Sequence, residues 1–392
     1  MIKKLTIEVK VLLLGILFTR TALFMSTPFL AIYLSNRLHF SALEIGYIIG
    51  IAPLINVLGS PLGGILSDRL NTRTILTYIP ILWGLVFSGF FFAKPFLVFL
   101  LLNALNGLCY VIFEPTSKKM LSLLSTPDQR IFVYNFRYAA INIGAFLGPL
   151  LSLLLNTKYS LHSYLLLGIL YIFCGILNGL VLKSVPSEKK NSAPSVAAKM
   201  KANKIRLLPY LLLLVGIAFS YFGYAQFNST VPQFFANSKL FDSGVMLYSF
   251  LLSLNAAMIL LLQLPVLKFT KSLSSYSVII LSNALFCISL WLLPQATHLF
   301  GLLCIVLAYS LGELLLGSRF DYLIDSLAPS KQKGLYFGLA ELTKLGNSLG
   351  PVVGAYLIDW LSMDHYQTIF LILGMITLSG LPLIRLSSYF SK

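Results

Sequence analysis

Residues 96–113 form an apolar run that contains no charged residue. If the helix continues to about residue 120, it supplies the roughly 20 residues that a helix needs to cross a bilayer. The whole chain has the same character, since 57% of its residues are hydrophobic, only 11% are charged and the mean hydropathy is +0.85. These values lie far outside the range of soluble domains. We therefore expect a protein embedded in lipid.

Apolar runs broken by charged residues, proline or asparagine predict twelve membrane helices. Backbone polar groups in lipid must be bonded within their own segment, so runs of this length can only be helical. The predicted fold is an all-α membrane protein with six transmembrane helices in each half. The predicted helices, numbered 1 to 12, cover residues 9–34, 42–67, 74–93, 96–119, 132–155, 162–182, 209–235, 243–267, 276–294, 298–324, 335–358 and 366–386.

A sequence repeat divides the chain into two related halves. The segment Gly144-x-x-x-Gly148-Pro149 recurs 202 residues later as Gly346-x-x-x-Gly350-Pro351. Two similar units of about 200 apolar residues are typical of the doubled helical bundles of transporters. We predict an N-terminal six-helix bundle (1–182), a basic cytoplasmic linker (183–208) and a C-terminal six-helix bundle (209–392).

The distribution of charge predicts the orientation in the membrane. With alternating connections, 21 of the 29 Lys and Arg residues fall on the side that holds both termini, and four fall on the other. By the positive-inside rule, both termini are expected in the cytoplasm of a protein in the inner or plasma membrane. We expect the net charge of +16, and above all the linker, to contact anionic lipid and not nucleic acid.

The four cysteines, Cys109, Cys174, Cys287 and Cys304, lie in predicted helices without metal-ligand or redox spacing. We predict that they are packing residues. Neither a metal site nor a cofactor is predicted, and the chain carries no H-E-x-x-H motif, so we do not expect an enzyme. The expected partners are a small-molecule substrate, protons and lipid, and we expect a monomer.

The loop between predicted helices 2 and 3 reads Gly64-Ile65-Leu66-Ser67-Asp68-Arg69-Leu70-Asn71-Thr72-Arg73. This run resembles the signature loop of the major facilitator superfamily, G-x-L-A-D-R-x-G-R-[KR]. The matches are Gly64, Leu66, Asp68, Arg69 and Arg73. Asn71 is a mild departure, because Asn tolerates the left-handed backbone that glycine supplies in a tight turn.

The resemblance implies two contacts for this loop. The carboxylate of Asp68 is expected to meet the start of helix 11, where free N–H groups and the helix dipole favour negative charge. The arginine cluster is expected to pair with an acid near the end of helix 4, and Asp128 is the candidate. Thr72 replaces one of those arginines and puts the second contact in doubt.

On predicted helix 5, Gly144-Ala145-Phe146-Leu147-Gly148-Pro149 resembles the antiporter motif of the same family, with Ser152 where a glycine is usual. Small residues four apart let two helices approach closely, and proline bends a helix by removing a hydrogen bond. The motif implies a pivot against helix 8 of the other half. Plain helix packing is the alternative.

Predicted helix 10 carries Glu313 deep in the membrane, in a Leu-Gly-Glu segment similar to helix 10 of proton-driven drug exporters. A carboxyl group at that depth is costly unless it has a purpose, and burial favours its neutral form. We therefore predict that Glu313 carries a proton. A structural pair with an arginine is the alternative.

Three further charged residues are assigned to proton coupling: Glu114 on helix 4, Arg20 on helix 1 and Arg137 on helix 5. Glu114 is followed one turn later by Lys118, so a simple intrahelical pair is the alternative. Each arginine needs an acidic partner or an anionic substrate. Glu313 is a reasonable partner of Arg20, but the sequence leaves that pairing open. Glu341 and Lys344, three residues apart, are expected to pair with one another.

Polar and aromatic residues inside the predicted helices are candidates for the substrate cavity. They are Asn103, Asn106, Tyr110, Asn142, Tyr221, Tyr224, Gln226, Asn228, Asn255 and Tyr309. Their aromatic share favours a pocket for flat or greasy solutes. Hydrogen bonding between helices is the alternative for any single residue.

These features together imply alternating access driven by protons. We predict an exporter of the drug antiporter branch that carries drugs, a siderophore or another amphiphilic metabolite. The alternative is a proton-coupled uptake symporter of a small nutrient with the same fold.

Overall fold

The computed structural model describes residues 5–40, 42–154, 161–182, 204–237 and 244–390. Within these ranges the chain is helical nearly throughout and contains no strand. The first six helices are α1 (Ile7–Leu38), α2 (Ala42–Arg69), α3 (Thr72–Phe92), α4 (Phe96–Leu124), α5 (Pro127–Leu154) and α6 (His162–Val181). The later helices are α7 (Lys204–Gln226), α8 (Thr230–Asn237), α9 (Gly244–Phe269), α10 (Ser275–Leu292), α11 (Leu299–Leu327), α12 (Lys333–Ala340), α13 (Leu345–Leu361), α14 (Tyr366–Leu378) and α15 (Gly380–Phe390).

Ten spans in the described part of the chain are long and apolar enough to cross a membrane. Helices α7 and α8 together form one of these spans, and so do α14 and α15. The two remaining membrane helices are α5, which carries Arg137, and the broken helix that joins α12 to α13 through a 3-10 turn at Glu341–Lys344. The total agrees with the twelve helices predicted from the sequence. Most of the predicted linker, residues 183–203, lies outside the described residues.

Side-chain caps start several helices as the sequence favours. The Thr6 hydroxyl accepts from the backbone N–H of Val9, and the Ser274 hydroxyl accepts from that of Ser277. Asn71 caps α3, with its Oδ1 accepting from the N–H of Arg73 at 2.9 Å. Its φ of −67° is ordinary extended backbone, so our expectation of a left-handed turn at Asn71 is wrong. Asparagine at this position, where the family pattern has glycine, supplies the side-chain oxygen that caps the next helix.

The described residues pack into two compact units. The first unit holds those within Met1–Lys190 together with Ile324–Glu341, and the second holds those within Asn191–Leu323 and Leu342–Lys392. In the first unit α1 packs on α5, α2 on α4 and α3 on α6, while α12 lies against α2 and α4. In the second unit α7 packs on α13 and α15, and α10 on α14.

The repeated glycine motif makes the same kind of contact in each unit. A Cβ added to Gly144 would lie 2.8 Å from the backbone nitrogen of Thr21, and one at Gly148 would lie 2.7 Å from the Cβ of Phe24. Within the first unit, the nearest neighbours of both glycines are therefore in α1. The pivot role stays a prediction, and the side chain of Pro149 lies outside the described part.

In the second unit the equivalent glycines lie against α7. A Cβ at Gly346 would overlap the carbonyl oxygen of Ala218, and one at Gly350 would lie 2.8 Å from the Cβ of Ala225. Close approach of backbones is what small residues four apart permit. Each half thus joins its first helix to its fifth through the same motif. With the sequence offset of 202, Phe222 of α7 is the position equivalent to Arg20 of α1.

The cysteines are free thiols in the described structure. Cys109, Cys174 and Cys287 are buried, which confirms the packing role predicted for them. Cys304 is exposed on the surface of its unit, so the prediction is wrong for that residue. In a membrane helix an exposed apolar side chain of this size faces lipid at little cost.

Candidate functional sites

The first site surrounds Glu114, a buried carboxylate on α4. Its Oε2 accepts from Nη2 of Arg20 at 2.9 Å, and its Oε1 accepts from Nη2 of Arg137. Three helices, α1, α4 and α5, therefore contribute one charge each. Glu114 is therefore the acidic partner of Arg20 within the first unit. Glu114 is also the acidic partner of Arg137.

Lys118 extends this network to a second carboxylate. Its Nζ lies 2.8 Å from Oε1 of Glu341 and 3.8 Å from Oε1 of Glu114, so the intrahelical pair is the weaker contact. Glu341 Oε2 also accepts from the Tyr110 hydroxyl at 3.1 Å. Glu341 thus forms a buried ion pair with Lys118 of α4, while its pairing with Lys344 stays a prediction.

We call Arg20, Glu114, Lys118, Arg137 and Glu341 the N-terminal charge cluster. All five are strongly buried, and the side chain of Arg20 is the most accessible at 15% exposed. Its guanidinium carbon lies 5.8 Å from the ring centre of Tyr110, in cation–π range. Buried charges of this kind are stable only when they are paired and hydrogen-bonded. The cluster is therefore a tightly coupled unit of charge.

The second site is the contact of Asp68 at the end of α2. Its Oδ1 accepts from the backbone N–H of Gly334 at 2.9 Å, and its Oδ2 accepts from that of Leu335 at 2.8 Å. Lys119 adds an ion pair of 3.0 Å. A carboxylate here meets the free N–H groups and the positive dipole end of α12. This is the contact with the start of helix 11 that the resemblance led us to expect.

The close approach at this contact requires glycine. A Cβ on Gly64 would overlap the carbonyl oxygen of Gly334, and a Cβ on Gly334 would lie 2.8 Å from the Cβ of Ser67. The backbones of α2 and α12 therefore touch directly. Gly64 belongs to the loop signature because a larger residue would hold Asp68 away from the helix start.

The second contact expected for the loop is not formed. Asp128 is exposed, and it makes no ion pair with any residue that the structure describes. Arg69 is exposed at the end of α2, and Nη2 of Arg73 donates to the Gly179 carbonyl at 2.7 Å instead. The physical reason is that α3 carries Arg73 toward α6. The prediction of an Asp128 partner is therefore wrong.

A different acid holds that region together. Asp325, at the end of α11, accepts from Nζ of Lys333 and lies 3.4 Å from Nε of Arg130 on α5. Lys333 also donates to the Ser122 hydroxyl at 2.7 Å. This ion pair anchors the start of α12 to the first unit.

The third site surrounds Glu313 of α11 in the second unit. Its Oε1 accepts from the Tyr224 hydroxyl at 3.5 Å, and its Oε2 accepts from Nδ2 of Asn255 at 3.4 Å. Asn255 also donates to the Ser310 hydroxyl at 2.9 Å. These donors are neutral, in contrast to the cations around Glu114. Neutral donors stabilise the charged form of a carboxyl group less than cations do, and this favours uptake of a proton.

Aromatic rings pack around Tyr224, whose hydroxyl donates to this carboxyl group. Tyr309 stacks on Phe227 with ring centres 4.2 Å apart and on Tyr224 at 6.0 Å, and Phe286 lies 5.3 Å from Tyr309. Tyr221 meets Tyr224 edge-on at 6.4 Å. The structure thus gathers Tyr221, Tyr224, Asn255, Tyr309 and Glu313 into one aromatic and polar region, as expected for a solute pocket.

Comparison with known proteins identifies the family to which this chain belongs. The model of the Major Facilitator Superfamily matches residues 12–344. The chain belongs to the major facilitator superfamily. It is a multi-pass membrane transporter and not an enzyme.

Relatives and a solved structure cover nearly the whole transporter. The MFS-type transporter YqjV of Bacillus subtilis is 37% identical over 376 residues, which cover 95% of this chain and 91% of that protein. Multidrug resistance protein MdtH of Yersinia pestis is 24% identical, covering 91% and 89%. A Na(+), Li(+), K(+)/H(+) antiporter of Planococcus maritimus is 23% identical, covering 88% of each. The structure of the transporter FucP shares the fold, with a TM-score of 0.79 at 13% identity over 97% and 99%.

Several predicted site residues of the transporter serve as links between helices. Asn103 donates to the Ile48 carbonyl at 2.5 Å and accepts from Asn106, which in turn accepts from Nε1 of Trp83 at 2.7 Å. Gln226 donates to the Gly350 carbonyl at 3.0 Å, which joins α7 to α13. For these three residues the alternative of interhelical hydrogen bonding accounts for the geometry.

Two other predicted residues stand apart from both carboxylate sites. Asn228 is exposed in the turn that follows α7. Nδ2 of Asn142 is buried and has no hydrogen-bond partner among the described residues. Neither residue makes a recorded contact with Glu114 or Glu313. The structure does not bring them into the candidate sites.

The sequence analysis missed four residues that build the sites of the transporter. Lys119 and Glu341 bind charges on other helices, and Phe227 and Phe286 complete the aromatic cover. The adjacent lysines Lys118 and Lys119 in an otherwise apolar helix could have indicated ion pairs with other helices. Because lysine is costly in a membrane helix, each one predicts an acidic partner inside the bundle.

Proposed function

We propose that this transporter is a proton-coupled exporter of amphiphilic small molecules, in which Glu313 exchanges protons against cargo. The observation that carries the proposal is the pairing of a partly buried carboxyl group with neutral donors, Tyr224 and Asn255. Protonation removes the negative charge that these two donors face. A change of charge is what couples a proton to a conformational equilibrium.

The aromatic cover gives the proposal its solute class. An aromatic cluster surrounds Tyr224, whose hydroxyl donates to Glu313; its other members are Tyr221, Phe227, Phe286 and Tyr309. Aromatic rings bind flat, apolar bodies, and a few polar groups fix their orientation. Amphiphilic solutes such as drugs or a siderophore fit that chemistry.

The names of two relatives support coupling and export. MdtH is named a multidrug resistance protein, and the Planococcus protein is named an antiporter of alkali cations against protons. The first name favours export of drugs, and the second favours exchange against protons. Uptake of a nutrient with protons stays the alternative, since the same carboxyl group could serve either direction. We place the transporter in the cell membrane with both termini in the cytoplasm, on the positive-inside argument.

The roles of the charged sites follow from the same proposal. We assign the Asp68 contact and the glycine motif of α5 to the conformational change, and the N-terminal charge cluster to its coupling with protons. The cluster can act in this way because Glu114 and Glu341 share Lys118, so movement of either acid changes the environment of the other.

The experiment uses purified protein in liposomes that enclose a pH-sensitive dye. Candidate drugs and siderophores are added under an imposed pH gradient. Proton movement opposite to the solute supports export, whereas movement in the same direction supports the uptake alternative. Solute flux without proton movement would show that transport is not coupled to protons.

Glu313→Gln is the decisive variant. Gln keeps the shape and a hydrogen-bonding carbonyl but cannot ionise, so proton-driven transport should fall to background while solute binding persists. Asp128→Asn makes the same chemical change at an exposed site without an ion pair among the described residues, and should transport normally. Wild-type proton coupling in Glu313→Gln would show that another group carries the proton.

A further inference from the structure

A small cavity lies inside the first unit, between α1, α3, α4 and α6. Its volume is about 20 Å³. A buried water needs roughly 10–15 Å³ of such space, so the cavity has room for one water molecule and excludes larger solutes. Much of its wall is apolar, and the lining side chains that can form hydrogen bonds are Thr19, Ser117, Tyr171, Cys174 and Asn178.

Ser117 of α4 lines this cavity with an unpaired hydroxyl. The residue is 1% exposed, and its side chain forms no hydrogen bond within the described residues. A serine or threonine inside a helix commonly bonds to the carbonyl four residues earlier. Its neighbour Thr116 does so, donating to the Ile112 carbonyl at 2.7 Å. A buried hydroxyl without a partner is costly, and a water molecule in the cavity would supply that partner.

The opposite wall offers further groups for the same molecule. Asn178 of α6 donates through Nδ2 to the Leu76 carbonyl at 3.0 Å, while its side-chain oxygen accepts no hydrogen bond within the described residues. The hydroxyls of Tyr171 and Thr19 share a hydrogen bond, and each hydroxyl oxygen has a second lone pair. Buried waters make two to four hydrogen bonds. Groups on α1, α4 and α6 can meet that requirement.

Tyr171 connects the cavity to the N-terminal charge cluster. Its hydroxyl lies within electrostatic range of Arg20 and Glu114, and Thr19 directly precedes Arg20 in α1. Hydrogen bonds and dipoles interact more strongly with charge in a buried site than in water. A dipolar molecule is therefore favoured over an apolar one at this place.

We propose that the cavity binds one water molecule, held by Ser117, Asn178 and the hydrogen-bonded pair of Tyr171 and Thr19. This water completes the hydrogen bonding of Ser117 and Asn178 and links α4 to α6 and α1. The site lies in the first unit and does not involve Glu313, so the inference goes beyond the proposed function and does not depend on it. It also brings water to Tyr171, whose side chain is buried.

X-ray footprinting tests for this water directly. The X-ray pulse converts water to hydroxyl radicals, which oxidise the side chains that touch it, and mass spectrometry measures the oxidation of each peptide. Tyr171 and Tyr164 form a matched pair on α6, at 3% and 2% exposed. Tyr171 lines the cavity, whereas Tyr164 stacks on Phe90 with ring centres 4.8 Å apart. In nanodiscs, Tyr171 should be oxidised several-fold faster than Tyr164. Equally slow oxidation of both tyrosines would overturn the proposal.

Filling the cavity should remove the effect. Ser117→Val replaces the hydroxyl with methyl groups, and oxidation of Tyr171 should then fall to the rate of Tyr164. If that variant does not fold, Gly15→Ala fills the cavity from α1, since its Cβ would lie in ordinary contact with Sγ of Cys174 at 3.7 Å. Unchanged oxidation of Tyr171 in a folded filling variant would place its water elsewhere, and the cavity site would be wrong.

The sign of a stability change gives a second test. Ser117→Ala removes one hydrogen bond to the water and should lower the thermal unfolding midpoint in detergent. In a dry cavity the same change would remove an unpaired hydroxyl and raise the midpoint, which would contradict the proposal. Ser26→Ala is the matched comparison, because the buried Ser26 hydroxyl donates to the Ala22 carbonyl at 2.9 Å. The two variants should shift the midpoint in the same direction.

Discussion

Replacing Asp68 with Asn tests how strongly a single carboxylate holds α12 to α2. The side chain accepts two backbone hydrogen bonds, from Gly334 at 2.9 Å and from Leu335 at 2.8 Å. Each is charge-assisted and contributes about 1.5–3 kcal/mol to stability, whereas the amide of Asn keeps one ordinary bond of about 1 kcal/mol. The substitution should therefore reduce the free energy of local opening by about 2–5 kcal/mol.

Hydrogen–deuterium exchange reads this quantity directly. When the helix closes faster than its amides exchange, the exchange rate follows the equilibrium of local opening. A loss of 2–5 kcal/mol then speeds exchange by roughly 30- to several-thousand-fold, since about 1.4 kcal/mol corresponds to a factor of ten. The peptide covering α12 is followed by mass spectrometry with the protein in detergent or nanodiscs. The effect should be confined to this peptide and to the end of α2.

Asp128→Asn is the matched control, because Asp128 is exposed and makes no ion pair within the described residues. It should leave exchange in α12 unchanged. A second comparison is Lys119→Met, which removes the ion pair of 3.0 Å but leaves both backbone bonds in place. It should accelerate exchange less than Asp68→Asn. Equal exchange in Asp68→Asn and wild type would refute the idea that the carboxylate anchors the helix start.

The remaining predictions concern packing and buried charge. Gly346→Ala should lower the thermal unfolding midpoint in detergent, because its Cβ would overlap the Ala218 carbonyl and overpacking costs about 1–3 kcal/mol; Gly50→Ala, with nothing within 4 Å of the new Cβ, should be neutral. Lys118→Met and Glu341→Gln should each destabilise by about 3–5 kcal/mol, since each removes one member of a buried ion pair. The double variant should lose less than the sum of the two, and full additivity in thermal unfolding would contradict a direct coupling between Lys118 and Glu341.

Periodic and local features were predictable from the sequence. The helices follow from apolar runs that lipid permits in only one conformation. The Asp68 contact was predictable because a loop motif and a helix start are both local patterns. The glycine motif correctly indicated a close helix contact in each half. The sequence did not show that α1 is a neighbour of these glycines, because a small residue indicates that a backbone comes near without showing which one.

Pairings between distant helices could not be read from one sequence. Lys118 and Glu341 are separated by 223 positions, and no local pattern in the sequence links two residues so far apart. Arg20 offered the same problem, since any buried acid satisfies an arginine equally well. Asn103 and Gln226 show a further limit, because a polar residue in an apolar helix has the same appearance whether it binds a solute or another helix.

The duplicated joint between the first and fifth helices of each half has a consequence for how the protein can be altered. In one copy the glycines pack beside Arg20, and in the other they pack beside Phe222 at the equivalent position. The backbone geometry is thus compatible with an ion and with a hydrocarbon in the same place. Recognition chemistry and scaffold are separable at this joint. A designer could exchange the side chains between the copies, and so move the charge from one half to the other, while keeping the glycines that set the helix spacing.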